Sequence, residues 1–315
     1  MRAMIVAAGL GTRLQPLTHL RPKPALPVRG IPLVAYPLAL LARAGVREVA
    51  INVHHLPDAL IAASEAWCPP GLALRFSLER ELLDTGGGIA RVASFLRESE
   101  PCLLIGGDMV VDLDVAALLA AHRASGRAVT AVLRRDPRAG EFGTIGVDRT
   151  GRMRRIGRRF DLGGEVDSGV YTWVNVVSPS AFDSLPQREV FQHLDDWWAP
   201  ELARGSGAFG ALVLEPEACR WEPVGTPAEY LHANFALPAL SYLDVDARAR
   251  AAGARLSPEL IIGAGAEIAA GARLEHAVVW DGERVPASCT GRHGVFAGGR
   301  FHAVPGAAQE SRGAA

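Results

Sequence analysis

Along the first half of the chain, short apolar runs alternate with longer amphipathic stretches. Ala3–Ala8 is continuously apolar and predicts a buried strand that ends at Gly9-Leu10-Gly11. Ile31–Ala44 (IPLVAYPLALLARA) predicts a helix stopped by Gly45, and Val46–Val53 and Leu72–Leu78 predict a second and a third strand. Gly88–Arg97 predicts a helix and Cys102–Ile105 a short strand running into Gly106-Gly107-Asp108. Asp114–Ser125 predicts a further helix with Asp114 as its N-cap. This alternation predicts an α/β fold: a Rossmann-like mixed, mostly parallel sheet with helices on both faces. Ligands of such sheets gather at the carboxyl ends of the strands. The Gly9 loop and Asp108 both fall there.

The pattern then shifts toward strands, at Ala128–Leu133, Thr144–Val147 and Val170–Val177, with a basic patch at Arg152, Arg154, Arg155, Arg158 and Arg159. Phe191–Arg204 predicts a helix that Pro200 must kink or end. Beyond about residue 236, Ile262, Ile268, Leu274 and Trp280 recur every six residues among glycines and small residues. That period suits a short C-terminal left-handed β-helix-like (hexapeptide) segment of about two coils. Such a segment could cover the main domain or pair subunits into a homo-oligomer. The expected organisation is a main domain over 1–235, a linker and hexapeptide segment over 236–305, and a disordered tail over 306–315.

Composition narrows the classes. Of 315 residues, 49% are hydrophobic and 21% charged, enough apolar surface for a large core. A formal net charge of −1 gives no general pull toward nucleic acid or an anionic membrane, so anion binding must be local. Cys68, Cys102, Cys219 and Cys289 are scattered, which argues for reduced thiols in a cytoplasmic protein and against structural zinc. The Ala3–Ala8 run is too short for a signal peptide, and no apolar run reaches the roughly 18 residues of a membrane-spanning helix.

The stretch GLGTRLQPLTHLRPKPALPV, Gly9 to Val28, carries the most chemistry. Its glycines permit close backbone approach to a phosphate chain, and Arg13 and Lys23 can supply positive charge. Lys and Arg together number 33, yet Lys23 is the single lysine of the chain. The Walker pattern GxxxxGK[ST] is absent, and the dinucleotide fingerprint GxGxxG fails at Leu14. A loop that embraces a nucleoside triphosphate without a following helix remains.

Taken whole, this stretch closely resembles the signature of the sugar-1-phosphate nucleotidyltransferases (nucleotide-sugar pyrophosphorylases), over about residues 1–235. LLDTGGGI (Leu82–Ile89) resembles a loop of the N-acetylmuramate-1-phosphate uridylyltransferases, and the hexapeptide-like end resembles mannose-1-phosphate guanylyltransferases. The resemblance implies nucleotidyl transfer from an NTP, UTP or GTP, to a sugar 1-phosphate, with Mg2+ as cofactor. It implies catalytic roles for Arg13, Lys23 and Asp108, and nucleotide contacts at Ala8, Gly9, Gly11, Thr12, Gly86 and Gly87. Asp108 corresponds to the family's metal-binding Asp.

Departures lie on the acceptor side. The family's WxDxGT reads Trp221-Glu222-Pro223-Val224-Gly225-Thr226 here, so Pro223 stands where a second metal-ligating Asp is common. Glu222 is the neighbouring candidate, although on a strand it points to the opposite face. Arg159 stands near a sugar-phosphate-binding Lys of the family. Thr172 and Trp173 fall at the sugar pocket, with Trp173 in a glycine's place. An active enzyme with an altered acceptor site is therefore expected. A non-catalytic nucleotide-sugar-binding regulator, or a transferase for another phosphorylated acceptor such as phosphocholine or a heptose phosphate, are the alternatives.

Overall fold

A computed structural model describes residues 1–304; the tail expected to be disordered, 306–315, lies outside them. The central sheet runs in the order 73–78, 48–53, 2–6, 102–106, 167–177, 129–134, 209–214. The first four strands are mutually parallel. Asp167–Val177 is antiparallel to both Cys102–Gly106 and Val129–Arg134, and Phe209–Leu214 pairs parallel with the latter. The sheet is mixed and mostly parallel, as the strand–helix alternation predicts.

Alternation along each strand builds a core on both faces. Ala3, Ile5, Val49, Ile51, Leu103 and Ile105 face the helices Ala35–Arg43, Pro57–Ala66 and Val115–Ser125. Met4, Ala50 and Leu104 face Ile89, Ala93, Leu96, Trp197, Trp198 and Leu202. Asp114 caps its helix as expected, its side chain accepting from the Ala117 amide at 2.9 Å.

Several boundaries differ from expectation. Ile31–Pro32 pairs with Pro27–Val28, so the helix begins only at Ala35. The TGGG run lies inside a helix, Asp84–Arg91, and a second helix follows at Ala93–Arg97. The stretch expected as one helix before Pro200 is a π-helical turn, His193–Trp198, leading into Ala199–Ala203. Met109–Leu113 forms a separate antiparallel pair with Cys219–Pro223, placing Pro223 opposite Met109.

The left-handed β-helix expected at the C-terminus is not established. The segment holds a mixed five-stranded sheet in which Leu260–Ile262, Arg273–Val279 and Thr290–Ala297 are parallel, flanked by antiparallel Arg255–Leu256 and Arg300–Ala303. Nor does it stand apart. Leu14, Leu17, Leu26, Tyr36 and Tyr230 share one core with Ile261, Val278, Trp280 and Val295. Tyr230 Oη donates to the Pro27 carbonyl at 2.6 Å and accepts from Trp280 Nε1 at 2.9 Å. Arg21 pairs with both carboxylate oxygens of Asp281, at 2.6 and 3.0 Å. The segment thus backs the stretch that carries Lys23.

Candidate active site

The first strand ends in a tight loop. Gly11 has φ 63, and a Cβ there would lie 2.8 Å from Thr18 Cγ2 and 3.2 Å from Lys23 Cβ. Glycine thus lets the loop fold back onto the lysine-bearing segment. The Thr18 hydroxyl closes the turn by donating to the Gly11 carbonyl at 3.0 Å. Among the described residues, no acceptor takes the amides of Gly9, Leu10 and Gly11. Pro22 and Pro24 hold Lys23 at the start of a single 3-10 turn. Its side chain is 12% exposed, and Nζ donates to Asp108 Oδ2 at 2.8 Å. Asp108, at the turn beyond Cys102–Gly106, keeps 45% exposure.

Beneath the loop lies a buried polar chain that the sequence reading missed. Asn52 Oδ1 accepts from the Ala7 amide at 2.7 Å, Asn52 Nδ2 donates to Glu79 Oε1 at 2.7 Å, and Glu79 Oε2 accepts from the Leu83 amide at 3.0 Å. Both side chains are 1% exposed. The signal was an asparagine inside an otherwise apolar strand, which must find partners when buried.

A cavity of about 640 Å3 opens beside Lys23 and Asp108. It gathers Arg13, Lys23, Asp108, Arg159 and Trp173. Arg159 pairs with Asp195, also on the lining. The Arg13 guanidinium lies 2.9 Å from where a Gly225 Cβ would stand. Ala8, Gly9, Gly11 and Thr12 form the loop next to this cavity rather than its lining.

Other expected site residues sit elsewhere. The amides of Gly86 and Gly87 both donate to the Phe191 carbonyl, at 2.9 and 3.2 Å, and are spent there. A Cβ on Gly86 would meet the Phe191 ring at 2.3 Å, and one on Gly87 the Glu189 carbonyl at 2.1 Å. Packing against Phe191 and Glu189 thus requires glycine at both positions, whatever else they contact. Thr172 is fully buried, donates to the Val132 carbonyl at 2.8 Å and does not line the cavity. Glu222 alternates away from Pro223. It lies 3.8 Å from His232 Nε2 and 4.0 Å from Arg138 Nη1, lining a second cavity of about 740 Å3. Burial pushes its carboxyl pKa up. It does not join Asp108.

Mg2+ is bound in many nucleotide sites by one or two carboxylates plus substrate phosphates and water. Asp108 fits that pattern as one half-exposed carboxylate with three unused lone-pair directions beyond its bond to Lys23. Among the described residues, no group of three or more His, Cys, Asp or Glu is placed to hold a metal ion. The donor set suits an ion held largely by phosphates and no all-protein cage.

A mixed α/β sheet with a glycine loop and a carboxylate at its strand ends, and a lysine bonded to that carboxylate, is an arrangement suited to a nucleotidyltransferase. The Nucleotidyl transferase family model matches residues 2–239, and the chain belongs to that family. It is 33% identical over 306 residues to the mannose-1-phosphate guanylyltransferase of Mycobacterium tuberculosis, covering 91% of this chain and 82% of that one. It is 24% identical over 245 residues to the UTP–glucose-1-phosphate uridylyltransferase of Synechocystis, covering 74% of this chain and 62% of that one. The crystal structure of HddC from Yersinia pseudotuberculosis complexed with GMP-PN superposes with a TM-score of 0.61 at 22% identity, over 74% of this chain and 97% of that one. That last likeness speaks for the fold. Among the described residues, no helix is long and apolar enough to cross a membrane.

Proposed function

We propose that the chain transfers a nucleotidyl group from a nucleoside triphosphate to a sugar 1-phosphate, releasing pyrophosphate and forming a nucleotide sugar. The observation that carries this reading is the Lys23–Asp108 pair at the cavity, beside a glycine loop with three untaken amides. GTP with mannose 1-phosphate is the first pair to try, on the strength of the Mycobacterium tuberculosis relative; UTP with glucose 1-phosphate is the second.

The acceptor phosphate has a second pKa near 6 and is a dianion at neutral pH, so no general base is needed. Its oxygen forms a bond to the α-phosphorus of the NTP while the bond from that phosphorus to the bridging oxygen breaks. Pyrophosphate leaves with the electron pair. Arg13 and Lys23 sit where negative charge must be held during this exchange, and the Gly9–Gly11 amides suit the triphosphate. Bound Mg2+, held by Asp108 and the phosphates, would add charge neutralisation. We assign catalysis to residues 1–235 and a supporting role to the C-terminal segment.

The test is pyrophosphate release from NTPs mixed with a panel of sugar 1-phosphates and Mg2+. A second reading, a non-catalytic nucleotide-sugar-binding regulator, draws on Pro223 in place of a carboxylate. Nucleotide binding without pyrophosphate from any acceptor selects it over the enzyme.

A further inference from the structure

Two rare backbone conformations meet on one wall of the cavity. Trp173 has φ 58, at the point where pairing between Asp167–Val177 and Val129–Arg134 lapses, from Tyr171 to Asn175. That left-handed conformation is strongly disfavoured for a bulky L residue and free for glycine. Beside it, His193–Trp198 forms a π-helical turn, a form that is uncommon and concentrated at functional sites. Strained or unusual backbone persists where the surroundings over-determine it, and both deviations serve the same surface. The first brings the Trp173 indole to the cavity, and the second brings Leu194 and Asp195 to its lining.

The indole is fixed in place. The His193 ring packs against it with centroids 4.3 Å apart, and the Tyr171 ring at 5.3 Å. Those two rings rest in turn on buried Trp198, at 5.1 and 5.8 Å. His193 Nδ1 is hydrogen-bonded to Thr85 Oγ1 at 2.7 Å, so the TGGG helix anchors this wall. Lys23, Arg13 and Asp108 share the cavity lining with Trp173, and its other polar side chains include Gln192, Arg159 and Asp195 beside Thr144, Arg158 and Glu229.

Resting on the transferase reading, we propose that Trp173 is the specificity-determining residue of the acceptor pocket. Its rigid indole takes the C–H face of a pyranose 1-phosphate whose phosphate points to Lys23 and Arg13 and whose hydroxyls turn toward Gln192, Arg159 and Asp195. An aromatic face buries apolar C–H surface and presents a negative quadrupole to it. A preorganised platform loses little freedom on binding. The same ring excludes acceptors with a bulky substituent on that face.

The test compares wild type, Trp173→Phe and Trp173→Gly in pyrophosphate release, with KM measured separately for each substrate and folding followed by circular dichroism. Glycine suits the left-handed backbone, so Trp173→Gly is expected to fold. It should raise KM for the preferred sugar 1-phosphate on the order of tenfold, keep KM for the NTP within about twofold, and gain relative activity on bulkier acceptors. Trp173→Phe should recover part of the loss. An unchanged sugar-phosphate KM, or equal rises for both substrates, overturns the proposal. Should the glycine variant not fold, Trp173→Leu carries the same comparison against Trp173→Phe. If wild type releases no pyrophosphate with any pair, the transferase reading fails. Calorimetric titration of wild type and Trp173→Gly with the sugar 1-phosphates then decides the stacking role by itself. Equal affinities, or no binding to wild type, overturn it.

Discussion

The ammonium of Lys23 lies 2.8 Å from the carboxylate of Asp108, joining the signature stretch to the end of the strand that crosses beside it. The pair is half open to solvent on the Asp108 side, so its net worth to folding is small. Its value is to poise one cation and one carboxylate at the cavity.

Lys23→Ala is therefore expected to keep the native melting temperature and to lower kcat/KM by about 100- to 1,000-fold, the cost of removing a group that stabilises transition-state charge. Lys23→Arg should recover little, because a planar fork does not replace a compact ammonium between two prolines. Pyrophosphate release with parallel thermal melts checks both. Turnover at the native rate in Lys23→Ala would remove the residue from the mechanism.

Gly86→Ala separates packing from ligand binding. The added methyl meets the Phe191 ring and carbonyl, and overpacking of this kind costs about 1–3 kcal/mol. The variant should melt several degrees lower while its nucleotide affinity, measured where it is folded, stays native. Loss of nucleotide affinity with native stability would restore the glycine to the nucleotide site.

Glu222→Gln probes the carboxylate that the structure turns away from Asp108. Burial raises its folded pKa. A raised carboxyl pKa means the native state holds the proton longer than the unfolded chain does, so stability is lost as pH rises through that window. Removing the charge should raise the melting temperature at neutral pH by about 1–2 °C, with the gain vanishing at acid pH, and leave the Mg2+ dependence of turnover unchanged. A rise in the Mg2+ requirement would return Glu222 to the metal.

His193 gives a dependence of opposite sign. Burial lowers its pKa from 6.5 to about 3. The unfolded chain gains the proton first as pH falls, so this contribution is complete above the unfolded value and is lost toward acid. The slope from this group is about 1.4 kcal/mol per pH unit between those values. Denaturant titrations across that range should show wild type steeper than His193→Gln by one proton. Equal slopes would mean that the imidazole titrates normally.

Tyr230→Phe tests whether the C-terminal segment is integral. The change strands the Trp280 indole N–H and the Pro27 carbonyl, at about 1–3 kcal/mol for each buried orphan. Melting should drop as one cooperative transition, followed alike by tryptophan fluorescence and circular dichroism. Two separated transitions would show that the segment folds alone.

Apolar periodicity made the parallel half of the sheet legible, because Ala3–Ala8 and Val46–Val53 are buried on both faces and contain few polar positions. The Lys23 and Asp108 site was legible for a related reason: glycines, prolines and a lone lysine leave few local readings. Long-range pairing was not legible. Nothing local to TGGG announces that Phe191 and Glu189 lie against it, so the packing that requires these glycines was invisible in the sequence. The bulge that turns the Thr172 hydroxyl to the Val132 carbonyl was likewise invisible in the sequence. The six-residue period of the C-terminus joins residues that the structure separates. Ile262, Ile268 and Leu274 are half-buried in one cluster, and Trp280 lies in the core shared with Tyr230. Nor could the period specify antiparallel strands at both edges of the sheet.

The stretch around Lys23 is synthesised about 240 residues before the strands that back it, Leu260–Ile262, Arg273–Val279 and Thr290–Ala297. At about 5–20 residues per second, a ribosome holds this stretch for much of translation before Trp280 and Asp281 exist to support it. A nascent chain that has completed the family-matching region, through residue 239, still lacks Ile261, Val278, Trp280 and Val295 from the core that its signature stretch shares. Until those strands emerge, that core is incomplete on one side.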